Sequence, residues 1–307
     1  LDIIRGFLKD KGLPASGNRK KVRKRLEDGL DAETISGDDI IDLIDRVEGW
    51  GNQHIYLYRS PDELIDRWDT EAKARVRLRA VGQEELLNAR RPLLLPPNPQ
   101  LCSVEWSPRR VCFVWVQRRI WYEHLPDEDY QEDDIEYTAR RRHQARGLIT
   151  FHWDLASGHA ALLIQRLPKG NNYKDIRGTF AAVLEPLVRL SKFEPVAISG
   201  SIMRLERSGE VRRRSMEMVT ARGSRAKFTS GGRRVDAFDD PDLKNARTGL
   251  GTKLIGRHGN FSWTMPDDSD RELHVKIYAP DQRLAIFGQC TEDEVRHVLS
   301  RVRHHCG

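Results

Sequence analysis

The stretch VCFVWVQRRIWYEHL, residues 111–125, decides the fold: its β-branched and aromatic residues read as a long strand. Before it, RRPLLLPPNP (90–99) is a proline-rich connector and a candidate boundary. After it, LITFHWDL (148–155), the turn Ala156-Ser157-Gly158-His159 and AALLIQRL (160–167) spell a β-hairpin. Residues 174–191 carry a helical pattern. VAISGSIMRLE (196–206), Arg207-Ser208-Gly209-Glu210 and VRRRSMEMVTA (211–221) predict a second hairpin. NFSWTM, ELHVKIYA and RLAIFGQC predict three more strands. Thr291 and Glu294 form a capping box ahead of Val295, Val298, Leu299 and Val302, the apolar stripe of a C-terminal helix.

The first third reads differently. Ile3, Ile4, Phe7 and Leu8 recur at helical spacing over 2–10, and Gly12 and Pro14 stop that helix. Ser16 or Asn18 can cap a second helix over about 19–27, which Gly29 ends. A third helix follows Ser36 over about 38–47, and HIYLYR (54–59) reads as a strand. Ser60-Pro61-Asp62-Glu63 looks like a capping box opening a helix through Trp68 and on toward Arg79. The expected class is α+β: a small N-terminal helical module, then a larger domain whose mainly antiparallel, partly curved sheet is flanked by helices. The expected boundaries are 1–30 for the module, 31–95 for a helical region with one short strand, and 100–307 for the sheet domain.

Composition narrows the function. The chain has 307 residues, 38% hydrophobic and 32% charged, with a formal charge of +6, which describes a polar but foldable chain. Of its 52 basic residues 39 are Arg, the side chain that makes forked phosphate contacts; a GC-rich genome also produces such an excess. Cys102, Cys112, Cys290 and Cys306 form no close pair, so no zinc site is expected, and they suit a reducing compartment. No apolar run reaches membrane-span length and no secretory signal stands out, so no membrane partner is expected. The chain starts at Leu1 rather than Met, which leaves room for a missing upstream piece.

The densest charge lies in KGLPASGNRKKVRKRL (11–26), where six of the seven side chains from Arg19 to Arg25 are cationic. Backbone N–H groups of Gly17, Asn18 and Arg19 at a helix N-terminus would meet a phosphate with the positive end of the dipole. Arg19, Lys20, Arg23 and Lys24 make two i, i+4 pairs able to follow a phosphate strand; a solvated cationic face needs no more than the same charge. FLKDKGLPASGNRKKVRKRL resembles a SAP domain, a small helix–loop–helix module of chromatin and DNA-repair proteins. Leu8 and Lys9 match its first helix, Gly12, Leu13, Pro14, Ser16 and Gly17 its loop, and Arg25 and Leu26 its end. Arg19 stands in the usual Lys position, Arg23 replaces an apolar residue, and Lys21 stands where an acid is common. The resemblance covers about a tenth of the chain and implies binding of double-stranded DNA with little base preference, through Ser16, Gly17, Asn18, Arg19, Lys20, Arg23 and Lys24.

Residues 204–234 hold ten basic and three acidic side chains. Arg212, Arg213, Arg214, Arg222, Arg225, Lys227, Arg233 and Arg234, with Arg204 and Arg207, lie on or beside the predicted hairpin. Arg212 and Arg214 would share one face and Arg213 the other. Such a ribbon can track a DNA groove or backbone, or else keep an edge soluble. ARRRHQAR (139–146) follows the acidic DEDYQEDDIE (127–136) and is expected to pair with it; the acidic segment, with seven carboxylates, reads as a mobile loop and a candidate contact for a protein partner. In layout, IIDLIDRVEGWGNQHIYLYRS, the strand-rich middle and the terminal strand–turn–helix resemble the inner-kinetochore CENP-N family, which implies a sheet that grips DNA.

Catalytic signals are thin. TGLGTKLIGRHG (248–259) lacks P-loop spacing, and no G-x-S-x-G elbow occurs. Asp239, Asp240, Asp242, Glu272 and Lys276 are the nearest approach to a metal nuclease, but Glu272 and Lys276 are four apart rather than two. His152, His159 and His258 are scattered, and His304-His305 could bind metal adventitiously. No catalytic residue, metal or cofactor is assigned. The function expected is non-catalytic, backbone-directed binding of double-stranded DNA, as an adaptor in DNA defence or chromosome maintenance. The alternatives are a nuclease or nuclease subunit delivered by the SAP-like module, and an RNA-binding or protein-scaffolding factor. The expected location is cytoplasmic and nucleoid-associated in a prokaryote, nuclear in a eukaryote.

Overall fold

The computed structural model describes residues 2–91, 95–168, 172–232, 234–265 and 268–306. Along the chain run α1 (Asp2–Asp10), α2 (Arg19–Asp31), α3 (Gly37–Trp50), β1 (Gln53–Arg59), α4 (Asp62–Ile65), α5 (Glu71–Ala80), β2 (Gln100–Ser107) and β3 (Arg110–His124). Then come β4 (Tyr130–Glu132), β5 (Ile135–Tyr137), β6 (Arg140–Asp154), β7 (His159–Gln165), α6 (Tyr173–Val188), β8 (Glu194–Pro195), α7 (Ser199–Ser208), β9 (Arg212–Thr220) and β10 (Arg225–Thr229). α8 (Pro241–Gly249), β11 (Leu254–Met265), β12 (Asp268–Tyr278), β13 (Arg283–Phe287) and α9 (Glu292–His304) complete it. The class is α+β, with antiparallel pairing throughout the ladders below and helices ahead of the strands. Two compact units divide the chain: Leu1–Gln53 with Ile198–Gly307, and His54–Ala197.

In the second unit the strand order is β1-β7-β6-β3-β2, with β8 paired to β1. β3 and β6 pair antiparallel from Arg110↔Asp154 to His124↔Arg140 without a register shift. Alternation along them sends Phe113, Trp115, Phe151 and Trp153 to one face, where they meet Trp68, Phe180 and Phe193 in edge-to-face contacts 4.8–5.6 Å apart. Each such fully buried ring contributes about 1.5–3 kcal/mol relative to exposure. Ser60 does not cap a helix: its hydroxyl donates to Gly158 O and accepts from Trp153 Nε1. The expected long helix is consequently broken. α4 stops at Ile65, and α5 starts afresh behind Thr70, whose hydroxyl accepts from Lys73 N–H. Further along β3, Arg119 is buried and donates to the carbonyls of Gln165, Arg166 and Leu148. Burial pushes this guanidinium down to about 10, so it is still charged at neutral pH. Gly147 makes room for it, since a Cβ there would meet Arg119 Nε at 2.1 Å.

The first unit has the order β10-β9-β11-β12-β13. The hairpin expected over 196–221 is corrected: 199–208 is helix α7, and β9 turns back into β10 instead. Ile202 and Leu205 fall on one helical face and are buried, and Gly209, at φ 72°, ends the helix. Helical spacing of the apolar residues therefore prevails over their β-propensity. α7 packs on β11 at the glycines Gly256 and Gly259. A Cβ at Gly256 would stand 2.5 Å from Ile202 Cγ2, and one at Gly259 3.2 Å from it. α9 begins with the expected capping box and buries Val295, Val298, Leu299 and Val302.

Gly256→Ala is expected to cost about 1–3 kcal/mol in denaturant unfolding, because the α7–β11 approach has no slack. Adding Ile202→Ala, which removes the Cγ2 atom in the way, should recover part of that loss, and a cycle without coupling would show that the glycine is not there for the helix.

Candidate nucleic-acid interface

The N-terminal helices close a small core of Phe7, Leu8, Ala15, Val22, Ile35 and Leu43. α2 runs past the expected stop. Gly29 is inside it, buried where a Cβ would meet Ile35 and Leu13, and the helix continues to Asp31. Of the two candidate caps, Asn18 is the one used: its side chain accepts from Lys21 N–H. The loop before it is held from both helices. Arg5 donates to Gly17 O, and Arg25 donates to the carbonyls of Pro14 and Ser16. Gly17 sits at φ 115°, a conformation that favours glycine.

This frame leaves Ser16, Gly17, Asn18, Arg19, Lys20, Arg23 and Lys24 exposed. Arg23 pairs with Glu27 at 2.8 Å, both solvated, a bond of small worth. Among the described residues Arg19, Lys20 and Lys24 face no carboxylate. Lys11 bonds Asp39 at 2.7 Å, and Asp39 also accepts from Ser36 in the α3 capping box.

The second cationic cluster is divided by its strand. Arg213 lies on the helix-covered face, bonded to Asp236 at 2.9 Å, to Glu206 O and against the Phe238 ring. Burial alone would push the Asp236 carboxyl up, but hydrogen bonds from Arg213 and Phe238 N–H outweigh it and hold it below the ordinary value. Arg213 is thus part of the fold rather than of an open surface. On the opposite face Arg212 pairs with Glu272, and Arg214 sits at the register shift between β9 and β11, its charge acting on His274. Arg225 and Lys227 pair across β10–β9 with Val219 and Glu217 and are exposed, as are Arg222 in the turn and Arg234. Arg233 lies outside the described residues.

Register adds residues that charge counting missed. One rung crosses five strands on this face: Lys227, Glu217, His258, Tyr278 and Arg283. On β12, Lys276 and His274 share the face with Tyr278, and Lys276 Nζ stands 4.7 Å from the Tyr278 ring centre. Burial, then Arg214 and Lys276, push the His274 imidazole below its ordinary value. The alternation in ELHVKIY, apolar at Leu273, Val275 and Ile277, was the available signal.

The remaining candidates resolve structurally. Asp240 caps α8, Glu272 belongs to Arg212, and among the described residues no group of three or more His, Cys, Asp or Glu could hold a metal ion. The glycine-rich segment is the end of α8 and the start of β11. The acidic segment is not a loop throughout. β4 and β5 form a short hairpin, turned by Asp133 and Asp134 at φ 47° and 64°, with Tyr130 and Tyr137 stacked at 4.5 Å. No described helix is long and apolar enough to cross a membrane. Set against known proteins, the chain matches no family model and no curated protein.

The hydrogen bond from Lys11, then those from Ser36, hold Asp39 at about 2 against an ordinary 3.8. Its folded value is the lower one, so its contribution to the loop–α3 tie is complete above pH 4 and is lost as pH falls through 2. An NMR titration of the Asp39 carboxyl should show this midpoint. Lys11→Ala should raise it part of the way, with Ser36 still bound.

Proposed function

We propose that the protein binds double-stranded DNA through the sugar-phosphate backbone, with little base preference and no chemistry of its own, its helical head acting as a SAP-like module. The observation that carries this reading is the presentation of Arg19, Lys20 and Lys24: exposed, without a carboxylate, on the first turns of a helix whose lead-in loop is fastened by Arg5 and Arg25. A fixed loop supports binding because little ordering remains to be done when a phosphate arrives. Cations with no internal partner give up no bond on binding, and each phosphate neutralised releases counterions.

The open face of β9, β10 and β12 supplies a second contact, through Arg214, Arg225, Lys227 and the additional Lys276. Arg212 and Arg213 already have carboxylate partners and contribute less. Two weak contacts on one chain raise avidity through effective concentration. The role that suits such a protein is an adaptor on DNA, in defence or chromosome maintenance, at the nucleoid or in the nucleus, with the acidic segment at 127–136 offered to a protein partner.

Fluorescence anisotropy with labelled duplex over a salt series tests this. Arg19→Glu/Lys20→Glu/Arg23→Glu/Lys24→Glu should bind at least tenfold more weakly and flatten the log K against log salt slope by about 3, at roughly 0.9 per phosphate lost. Wild-type affinity and slope in that variant would defeat the reading, as would tighter binding of single-stranded RNA than of duplex. Arg25→Ala should weaken binding with the slope nearly intact, since it loosens the loop and leaves the phosphate contacts in place.

A further inference from the structure

The arginine run at 139–146 and the acidic segment beside it were expected to neutralise each other. That pairing is partial: Arg141 approaches Glu128 at 3.9 Å, and the register of β3 and β6 spreads the run over two faces. β2 pairs with β3 only as far as Gln100↔Val116, and β7 with β6 only as far as Ile149↔Ile164. Beyond those points, from Arg118↔Arg146 to His124↔Arg140, the two strands continue as a two-stranded ribbon. At roughly 3.4 Å per residue this ribbon is about 20 Å long.

Its two faces differ in charge. Glu123↔Arg141 and Trp121↔His143 fall on one face. There His143 bonds Glu123 at 2.7 Å and stacks on Trp121, and Arg141 approaches Glu128 at 3.9 Å. Arg118↔Arg146, Tyr122↔Arg142 and His124↔Arg140 fall on the other. No strand residue of that second face is acidic. Asp129, at its tip end, bonds His124 and accepts from Ala139 N–H. Among the described residues Arg118, Arg140 and Arg142 have no ion pair. Tyr122 stands between them with 61% of its surface exposed.

We propose that this arginine face is a further duplex-DNA contact, with the ribbon seated in the major groove. The inference rests on the DNA-binding reading above and adds a site to it. A two-stranded ribbon is of a width that groove admits, arginines on both strands reach toward the phosphates on either side, and a tyrosine offers an apolar face with a polar tip. On the opposite face Glu123 and Glu128 occupy His143 and Arg141, so that side offers less to a phosphate and the ribbon turns its arginine face to the groove. The acidic hairpin at the tip sets the end of the contact, because it repels the backbone.

The test uses the full chain and the same labelled duplex. Arg140→Ala/Arg142→Ala should lower affinity at least tenfold and flatten the salt slope by about 2. Arg140→Lys/Arg142→Lys should keep the wild-type slope, since charge is retained. Arg141→Ala, on the opposite face, should match wild type. Wild-type affinity and slope in the double-alanine variant, while the helical-head variant is weakened, would overturn the ribbon contact and leave the head's role standing. An equal loss from Arg141→Ala would overturn it as well, showing that net charge rather than the face matters. No duplex binding by the wild-type chain would remove the DNA reading itself, and the ribbon contact with it.

Discussion

The unbroken pairing of β3 with β6 is the constraint on which the second unit depends. Fifteen rungs in one register leave no freedom about which side chain faces where. At one end the alternation sets Phe113, Trp115, Phe151 and Trp153 into the aromatic core. At the other end the same alternation sets Arg118, Arg140 and Arg142 on one face and Glu123, opposite Arg141, on the other. A slip of one residue would turn each of these side chains to the other face, so the core that specifies the register also specifies the charge pattern far from it.

Charge is handled in two ways along the chain. Where cations are withdrawn from water they are given acceptors: Arg119 has three backbone carbonyls, and two others have a carboxylate, Arg213 with Asp236 and Arg247 with Glu206. Leaving either guanidinium buried alone would cost several kcal/mol, so these pairs hold loops and helices in place and are poor candidates for an outside ligand. Where cations stay in water, as at Arg19, Lys20 and Lys24, no such compensation exists. Both kinds of arginine look alike in the sequence, and only the fold separates them. In the run Arg212-Arg213-Arg214 the first two have carboxylate partners on opposite faces, and the half-buried third lies at the register shift.

Much of the architecture could be read from the residues. The strand at 111–125, the hairpin around Gly158, the first three helices and the C-terminal capping box follow from local pattern alone. The segment 196–206 did not, because its β-branched residues are also at helical spacing, and the closeness of Gly256 to Ile202 that selects the helix is a tertiary fact. Ser60 looked like a cap and is instead a cross-link between Gly158 and Trp153, some 100 residues away in sequence. The helical head was legible down to the cap and the loop. The sheet face was legible as a sum of charges but not as a surface, since Lys276, His258 and Tyr278 join it only through pairing across strands that are distant in sequence.

Arg119 and Gly147 give the ribbon a particular mechanical character. The guanidinium is clamped by three backbone carbonyls where the two strands leave the larger sheet, and the missing side chain at Gly147 lets it sit flush against the opposite strand. A root fastened in this way is no hinge. Displacement of the tip would then be taken up by bending along the strands rather than at the base.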